Sequence, residues 1–117
     1  MFLKTSDGII IIGATNFARL IATYLMKNGR RVVLIDNNEN HIEKAKSLGL
    51  EAIQGDIYSD DLLSDVELND IGYLLALTGG AAVNEYALEN FGPIFGENGA
   101  FRIISTDEMK AGNLAPN

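Results

Sequence analysis

The sequence contains no cysteine and no tryptophan, and it has only one histidine and two prolines. Without cysteine the chain has no disulfide, no thiolate nucleophile and no cysteine-based zinc site. The single histidine, His41, makes a histidine-rich metal centre or a Ser-His-Asp triad unattractive. Long apolar runs are also missing, since even the longest wholly apolar stretches are short, such as residues 9–12. A bilayer span takes about 20 mostly apolar residues, so no segment is predicted to enter a membrane.

Basic residues are scarce as well, because 9 lysines and arginines stand against 16 aspartates and glutamates, which gives a net charge of −7. An acidic surface repels phosphate backbones, so we expect no general binding to nucleic acids. Residues 1–7 lack the cationic start and the long apolar stretch of a signal peptide. The expected location is therefore the cytoplasm.

The length and composition fit one globular domain. The chain has 117 residues, of which 47% are hydrophobic and 21% are charged, an ordinary mixture for a protein with a buried core. We expect a single domain over residues 1–117, with an ordered core at about 8–105. The tail, 106–117, contains glycine, proline and asparagine, and we expect it to be poorly ordered.

Strand-like apolar runs alternate strictly with helical patterns along the chain. Strands are predicted at residues 8–13, 31–36, 51–54, 73–77 and 101–105, and helices at 16–28, 37–48, 60–68 and 80–91. Strict alternation predicts a parallel sheet joined by right-handed crossovers. The expected fold is an α/β class, Rossmann-like, doubly wound sheet in three α/β/α layers, with strand order 3-2-1-4-5. Ligands of such sheets bind at the carboxyl ends of the strands, where the order reverses.

The first predicted strand leads into the turn Gly13-Ala14-Thr15-Asn16-Phe17-Ala18. A dinucleotide-binding fingerprint has Gly-x-Gly-x-x-Gly/Ala at this place. Gly13 and Ala18 fit the fingerprint, whereas Thr15 replaces the glycine that lets a pyrophosphate approach the backbone. The Thr15 hydroxyl can instead contact a phosphate, and the helix N-terminus offers free N–H groups. The turn therefore predicts either a nucleotide phosphate site or a decayed site that keeps only the turn.

The second predicted strand ends at Asp36, 18 residues after Ala18. The fingerprint has an acidic residue about 20 residues on, which accepts hydrogen bonds from ribose hydroxyls. A carboxylate there also repels a 2′-phosphate, which disfavours NADP. The alternative is that Asp36 caps the helix that starts at Asn37 and Asn38. The position and spacing favour ribose binding, and the adjacent Asn37 is also a candidate residue.

The ends of the third and fourth predicted strands supply four more candidates. Gly55 can bring the backbone close to a ligand, Asp56 can accept a hydrogen bond from an adenine amino group, and Ile57 can lie against the ring. An ordinary Gly-Asp turn is the alternative. After the fourth strand, Thr78 lies in an uncharged loop that faces the same crevice. It either contacts ribose or phosphate, or it caps the following helix.

The remaining polar and aromatic residues carry no catalytic pattern. His41 lies on the second predicted helix among charged residues and is expected in solvent, and Tyr24 is expected in the core. The acidic runs at 60–61 and 67–70 are expected at exposed helix ends. Ser64, Ser105 and Thr106 have no base within an obvious motif, and Tyr24 and Lys27 are three residues apart instead of the four of a Tyr-x-x-x-Lys pair. We therefore predict no enzymatic activity.

The ordered series of motifs resembles the RCK N-terminal domain, also called the TrkA-N or KTN domain. The resemblance covers about residues 8–105. It is carried by the strand with Gly13, Asp36, Gly55-Asp56, Leu74-Leu75-Ala76-Leu77-Thr78 and Asn84. Segments 13–19, 71–78 and 83–85 are most similar to the cytoplasmic C-terminal domains of bacterial sodium–proton antiporters. Domains of this family are attached to potassium channels, potassium uptake systems and cation–proton antiporters.

The resemblance implies a regulatory domain at the cytoplasmic face of the membrane that dimerises and binds NAD(H), ATP, ADP or AMP. By resemblance, the phosphates would face Gly13, Ala14, Thr15, Asn16 and Phe17. Asp36 would hold the ribose, Asp56 and Ile57 the adenine, and Thr78 the inner edge. Many family members have arginine where this chain has Asn16, which argues for a mononucleotide or a weaker ligand.

Two other functions stay open at this stage. The first is a structural dimerisation module that no longer binds a nucleotide. Thr15 and Asn16, which depart from the nucleotide-binding pattern, are consistent with this alternative. The second, less favoured, is the cofactor-binding part of an NAD-dependent oxidoreductase. That function requires a substrate domain and catalytic residues, neither of which the chain supplies.

Overall fold

The computed structural model describes residues 7–64, 66–96 and 99–102. In chain order the elements are β1 (Gly8–Ile12), α1 (Asn16–Lys27), β2 (Val32–Asp36), α2 (Glu39–Ser47), β3 (Glu51–Gln54), β4 (Ile71–Ala76), α3 (Ala81–Phe91), a 3₁₀ helix (Gly92–Phe95) and β5 (Ala100–Arg102). The five strands form one parallel sheet in the order β3-β2-β1-β4-β5. The Rossmann-like class is the one expected from the sequence, and the observed order corresponds to the expected 3-2-1-4-5.

The centre of the sheet is β1, which is buried on both faces. Its four isoleucines, 9–12, are nearly inaccessible to solvent, as expected for a continuous apolar strand with helices on each side of a parallel sheet. Ile11 pairs with Leu34 of β2 on one side and with Leu75 of β4 on the other. Alternate side chains of β1 therefore contribute to two hydrophobic cores. One lies under α1 and α2, and the other lies under α3 and the segment after β3.

Helix α1 lies close to the sheet because small residues face it. Ala18 and Ala22 are fully buried. The helix ends at Lys27 with Asn28 as its C-cap, and Gly29 follows with a φ of +83°, which suits a glycine just after a helix C-terminus. The expected core position of Tyr24 is wrong, because its side chain is 67% exposed. Tyr24 is two positions beyond Ala22 and so points about 160° away from it around the helix axis, given about 100° per residue.

The described residues of the expected helix at 60–68, which are 60–64 and 66–68, are not helical. Residues 57–64 form successive turns instead, with backbone bonds from Ser59 to Asp56, from Leu62 to Ser59 and from Ser64 to Asp61. Side chains of this segment also bond the local backbone, since the Ser64 hydroxyl donates to the Asp61 carbonyl. Such bonds compete with a regular helix. Leu62 is nevertheless buried against the sheet, so the segment still covers this face.

The remaining boundaries differ slightly from the expected ones. β4 begins at Ile71, earlier than expected, and β5 is described over Ala100–Arg102. Residues 103–105 of the expected fifth strand and the tail at 106–117 lie outside the described residues. The described part contains no helix long and apolar enough to cross a membrane.

Arg31 joins three strands at the amino-terminal edge of the sheet. Its guanidinium contacts the Glu51 carboxylate at 3.0 Å and the Asp70 carboxylate at 2.8 Å, and it donates to the Glu67 carbonyl at 2.7 Å. The bond to Glu51 is the main reason that the pKa of Arg31 is raised. This edge lies opposite the carboxyl ends of the strands, where the candidate residues gather.

Candidate functional site

The carboxyl ends of β1, β2 and β3 and the loop after β4 enclose a cleft of about 300 Å³. Eight of the eleven candidate residues line it: Gly13, Thr15, Asp36, Asn37, Gly55, Asp56, Ile57 and Thr78. The other lining residues are Ile12, Ile35, Asn38, His41, Tyr58, Gly79, Gly80 and Val83. Parallel strands end at one edge of the sheet, which is why segments far apart in sequence meet here.

Three candidates do not line the cleft. Ala14 is fully buried beneath the first turn. Asn16, the first residue of α1, is exposed, and the Phe17 side chain is 49% exposed. The cleft therefore meets the first turn through Gly13 and Thr15.

Gly13 forms the tight turn that its place after β1 predicts. Its φ is +107°, which strongly favours glycine, and its N–H donates to the Ile35 carbonyl at 2.7 Å. A Cβ at this position would lie 2.9 Å from the Thr78 nitrogen and 3.0 Å from the Leu77 carbonyl carbon. The close neighbour of Gly13 is thus the backbone after β4.

Thr15 is the N-cap of α1. Its hydroxyl oxygen accepts a hydrogen bond from the Ala18 N–H at 3.3 Å, and the hydroxyl lies 3.4 Å from the Leu77 carbonyl. The side chain is therefore engaged within the fold. In the described part of the chain, no hydrogen bond engages the N–H groups of Asn16 and Phe17. These groups and the helix dipole are the positive elements beside the cleft.

Asp36 ties the first turn to the start of α2. One carboxylate oxygen, Oδ2, accepts from the Ala14 N–H at 2.8 Å and lies 2.9 Å from His41 Nδ1. The other, Oδ1, accepts from the Asn38 N–H at 2.9 Å. The helix cap is Asn38, whose side chain accepts from the His41 N–H at 3.1 Å. Asp36 therefore supports the helix start without being its N-cap.

The environment of Asp36 favours its ionised form. Burial, which leaves its side chain 12% exposed, acts to raise the pKa of Asp36. The hydrogen bonds from the Ala14 and Asn38 N–H groups, together with His41, outweigh that effect and lower the pKa below its ordinary value. A carboxylate at this place stays charged at neutral pH and can accept hydrogen bonds from hydroxyl groups.

The expectation that His41 lies in solvent is wrong. The ring is two-thirds buried and bonds Asp36 at the rim of the cleft. The helix start explains this placement, because Asn38 as N-cap puts His41 in the first turn of α2, beside the end of β2. The sequence offered one signal, since a histidine in the first turn after a strand-end acid is within reach of that acid.

The segment after β3 shapes the floor of the cleft. Gly55 leaves room for Leu62, whose terminal carbon would lie 2.7 Å from a Cβ at position 55. Asp56 is exposed and its Oδ1 accepts from the Tyr58 N–H at 3.0 Å, while Ile57 is half-buried and packs against the core. Tyr58, which was not a candidate from the sequence, is also among the residues that line the cleft.

The loop after β4 is held by Asn84 of α3. The Asn84 side-chain oxygen accepts from the Thr78 N–H at 2.9 Å and from the Thr78 hydroxyl at 2.6 Å. Its amide nitrogen donates to the Thr78 carbonyl at 3.1 Å. Asn84 is only 4% exposed, so this loop is fixed from within. The Gly80 N–H also donates to the Thr78 hydroxyl oxygen, so Thr78 bonds the N-cap residue of α3.

The acidic side chains that line the cleft are those of Asp36 and Asp56. No lysine or arginine is among the described residues that line it. The guanidinium of Arg19 is buried beneath the first turn and donates to the Ala14 carbonyl at 2.5 Å. An anionic ligand would therefore meet backbone N–H groups, with this cation behind them.

The parallel sheet, the Gly13 turn and the acid at the end of β2 define a Rossmann-like nucleotide-binding domain. The sequence profile of the TrkA-N domain matches residues 9–111. The chain belongs to the TrkA-N domain family, whose nucleotide-binding domains are related to the regulatory domains of transporters.

Solved structures share this fold. The NAD(P)-binding domain of an exopolyphosphatase-related protein from Archaeoglobus fulgidus has a TM-score of 0.69 and 19% identity, over 92% of this chain and 80% of that one. The TrkA-N domain of the inner membrane protein ybaL from Escherichia coli gives 0.54 and 12%, over 95% and 96%. SirC, a precorrin-2 dehydrogenase, gives 0.57 and 14%, over 91% and 48%. No curated protein sequence gives a significant match. At these identities the likeness establishes the fold alone.

Proposed function

We propose that this domain binds an adenine nucleotide in the cleft and thereby regulates a monovalent-cation transporter, such as a sodium–proton antiporter or a potassium transport system. The observation that carries the proposal is the cleft itself, where an ionised Asp36 and the start of α1 meet at the carboxyl ends of the strands. Membership of the TrkA-N family and the likeness to a domain of an inner membrane protein support the link to a transporter.

The geometry suits a nucleotide with its phosphates near the start of α1 and its ribose at Asp36. An ionised carboxylate has about four acceptor positions, and three of them are used by Ala14, Asn38 and His41. One position on Oδ1 remains for a ribose hydroxyl. A second ribose bond requires His41 to give up its contact with Oδ2.

An adenine mononucleotide, AMP, ADP or ATP, fits better than NAD(H). The volume of about 300 Å³ is at the small end of the range for small-molecule sites, and a dinucleotide is much larger than a mononucleotide. Asp36 repels a 2′-phosphate, which disfavours NADP. The absence of lysine and arginine from the described lining also favours a ligand held by backbone groups.

Regulation then follows from differential binding. A nucleotide that binds one arrangement of a homodimer better than another shifts the population toward it, and the attached or neighbouring transporter responds at the cytoplasmic face of the membrane. No bond is made or broken, so we propose a sensing module and not an enzyme.

The test is a thermal-shift and calorimetric panel with NAD, NADH, NADP, ATP, ADP and AMP. A ligand at 100 times its Kd stabilises the native state by about 2.7 kcal/mol, which raises the Tm by roughly 10 °C in a domain of this size. The Asp36→Ala variant is expected to lose the shift. The matched control is Asp60→Ala, an exposed aspartate outside the cleft lining.

Two outcomes would contradict the proposal. If no nucleotide changes the Tm at millimolar concentration, the domain is a non-binding dimerisation module, and the engaged Thr15 and Asp36 side chains explain why. If an added substrate is turned over with hydride exchange, the domain is part of an oxidoreductase. Sedimentation with and without the bound nucleotide tests the dimer, which should change its association or shape on binding.

A further inference from the structure

Tyr58 is the one phenylalanine, tyrosine or tryptophan side chain among the described residues that line the cleft. Its side chain is 59% exposed although it belongs to the wall of a concave site. An aromatic ring left this open is not explained by packing in the core, since neither hydrophobic core contains it.

Two contacts hold Tyr58 in place. The backbone is fixed by the Asp56 carboxylate, which accepts from the Tyr58 N–H at 3.0 Å. The ring lies against the ring of Tyr86 on α3, with 4.6 Å between centroids and an angle of 56° between the planes. This separation is in the range in which aromatic pairs attract. A ring that is already positioned loses little freedom when a ligand binds.

The position of Tyr58 in the fold determines which part of a bound nucleotide it would contact. It follows Asp56 and Ile57 at the end of β3, whereas the phosphate-facing start of α1 follows β1. β3 and β1 are separated in the sheet by β2, whose Asp36 lies between them. A nucleotide whose ribose lies at Asp36 and whose phosphates lie at α1 therefore extends its base toward Tyr58.

We propose that Tyr58 is a stacking platform for the base of the bound nucleotide, so that the site takes a purine ring through contact with an aromatic face. This inference rests on the proposed function and deepens it. Base–aromatic stacking typically changes affinity by roughly 5- to 150-fold. Purines stack over a larger area than pyrimidines, so Tyr58 also determines preference between the two classes of base.

The test measures binding of AMP, ADP, UMP and ribose 5-phosphate to the wild-type protein and to Tyr58→Ala, Tyr58→Phe and Tyr24→Ala. Tyr58→Ala should weaken AMP and ADP binding about tenfold and leave ribose 5-phosphate binding unchanged, because that ligand has no base. Tyr58→Phe keeps the aromatic face and should bind within about twofold of wild type. Tyr24→Ala removes an exposed tyrosine outside the cleft lining and should change nothing.

Fluorescence gives a second readout. The chain has four tyrosines and no tryptophan, so its emission comes from tyrosine. A base stacked on Tyr58 quenches part of this emission, and the quenching should disappear in Tyr58→Phe although the affinity is kept.

The results separate this inference from the proposed function. AMP binding that is unchanged in Tyr58→Ala, or a loss that is equal for AMP and ribose 5-phosphate, would overturn the role of Tyr58 and leave the nucleotide site standing. Failure of every adenine nucleotide to bind the wild-type protein would overturn the proposed function and this inference with it.

Discussion

Replacing Gly13 with alanine tests whether the close approach of the first turn to the loop after β4 holds this fold together. The new Cβ would lie 2.9 Å from the Thr78 nitrogen and about as close to the Leu77 carbonyl group. These are backbone atoms, so no side-chain rotation can relieve the overlap. The turn and the loop must separate by several tenths of an ångström.

Two free-energy costs follow from this geometry. The left-handed conformation, with φ at +107°, costs an alanine about 1–2 kcal/mol. Separation strains the hydrogen bonds that the turn makes with its neighbours, from Gly13 to Ile35 and from Leu77 to Ile12, each worth about 1 kcal/mol. We expect Gly13→Ala to lower the free energy of unfolding by about 3 kcal/mol.

Gly29→Ala is the matched control. Gly29 also has a positive φ, +83°, but a Cβ there would have no heavy atom within 4 Å. It carries the conformational cost alone, about 1 kcal/mol. Urea unfolding followed by far-UV circular dichroism measures both variants. With an m-value near 1.5 kcal/mol/M, their midpoints should differ by roughly 1.3 M. Equal midpoints would refute the close-approach argument.

Three further predictions concern hydrogen-bonded groups. The pKa of Asp36 is lower in the folded protein than its ordinary value of 3.8, so its contribution to stability is present above that pH and is lost as the pH falls through the lowered value. Urea midpoints from pH 7 down to pH 2 should show this loss in the wild type and a flatter profile in Asp36→Asn. Asn84→Ala leaves the Thr78 N–H without its acceptor and should lower the free energy of unfolding by about 1–3 kcal/mol in urea unfolding. A urea midpoint equal to that of the wild type would contradict this role of Asn84. Arg31→Ala should lower the free energy of unfolding by about 1 kcal/mol at low salt and by less at 1 M NaCl, because its ion pairs are partly exposed and screened. Replacement of its exposed neighbour, Arg30→Ala, serves as the control. A destabilisation by Arg31→Ala that is the same at low and high salt would contradict the role of these ion pairs.

Much of the fold follows from the sequence because the strands are continuous apolar runs. Two of these runs are Ile9–Ile12 and Val32–Ile35, and both are buried. Continuous apolar runs of this kind are typical of central strands in a parallel sheet that has helices on both faces. Once these strands alternate with helices, the right-handed crossover rule leaves few arrangements. The same rule places Gly13, Asp36 and Thr78 at one edge, so the location of the cleft follows from topology.

The details that depend on side-chain competition could not be predicted in the same way. The spacing of Leu62 and Val66 suits a helix, yet Asp56 and Ser64 bond the nearby backbone and the segment forms turns. The contact of His41 with Asp36 depends on which residue caps α2. The Tyr58–Tyr86 ring pair joins residues 28 positions apart in sequence, and no local pattern reports such a contact.

Under the proposed function, Asp36 accepts a hydrogen bond from the ribose and also holds the first turn through the Ala14 N–H, which limits how the ligand of this domain can change during evolution. A lineage that moved toward a 2′-phosphorylated nucleotide would have to remove the negative charge at this position. The Ala14 N–H would then lose its acceptor at the heart of the first turn, and the contact that holds His41 would go with it. Such a change requires a compensating substitution elsewhere before it is tolerated. Under the proposed function, ligand preference and stability therefore depend on the same residue.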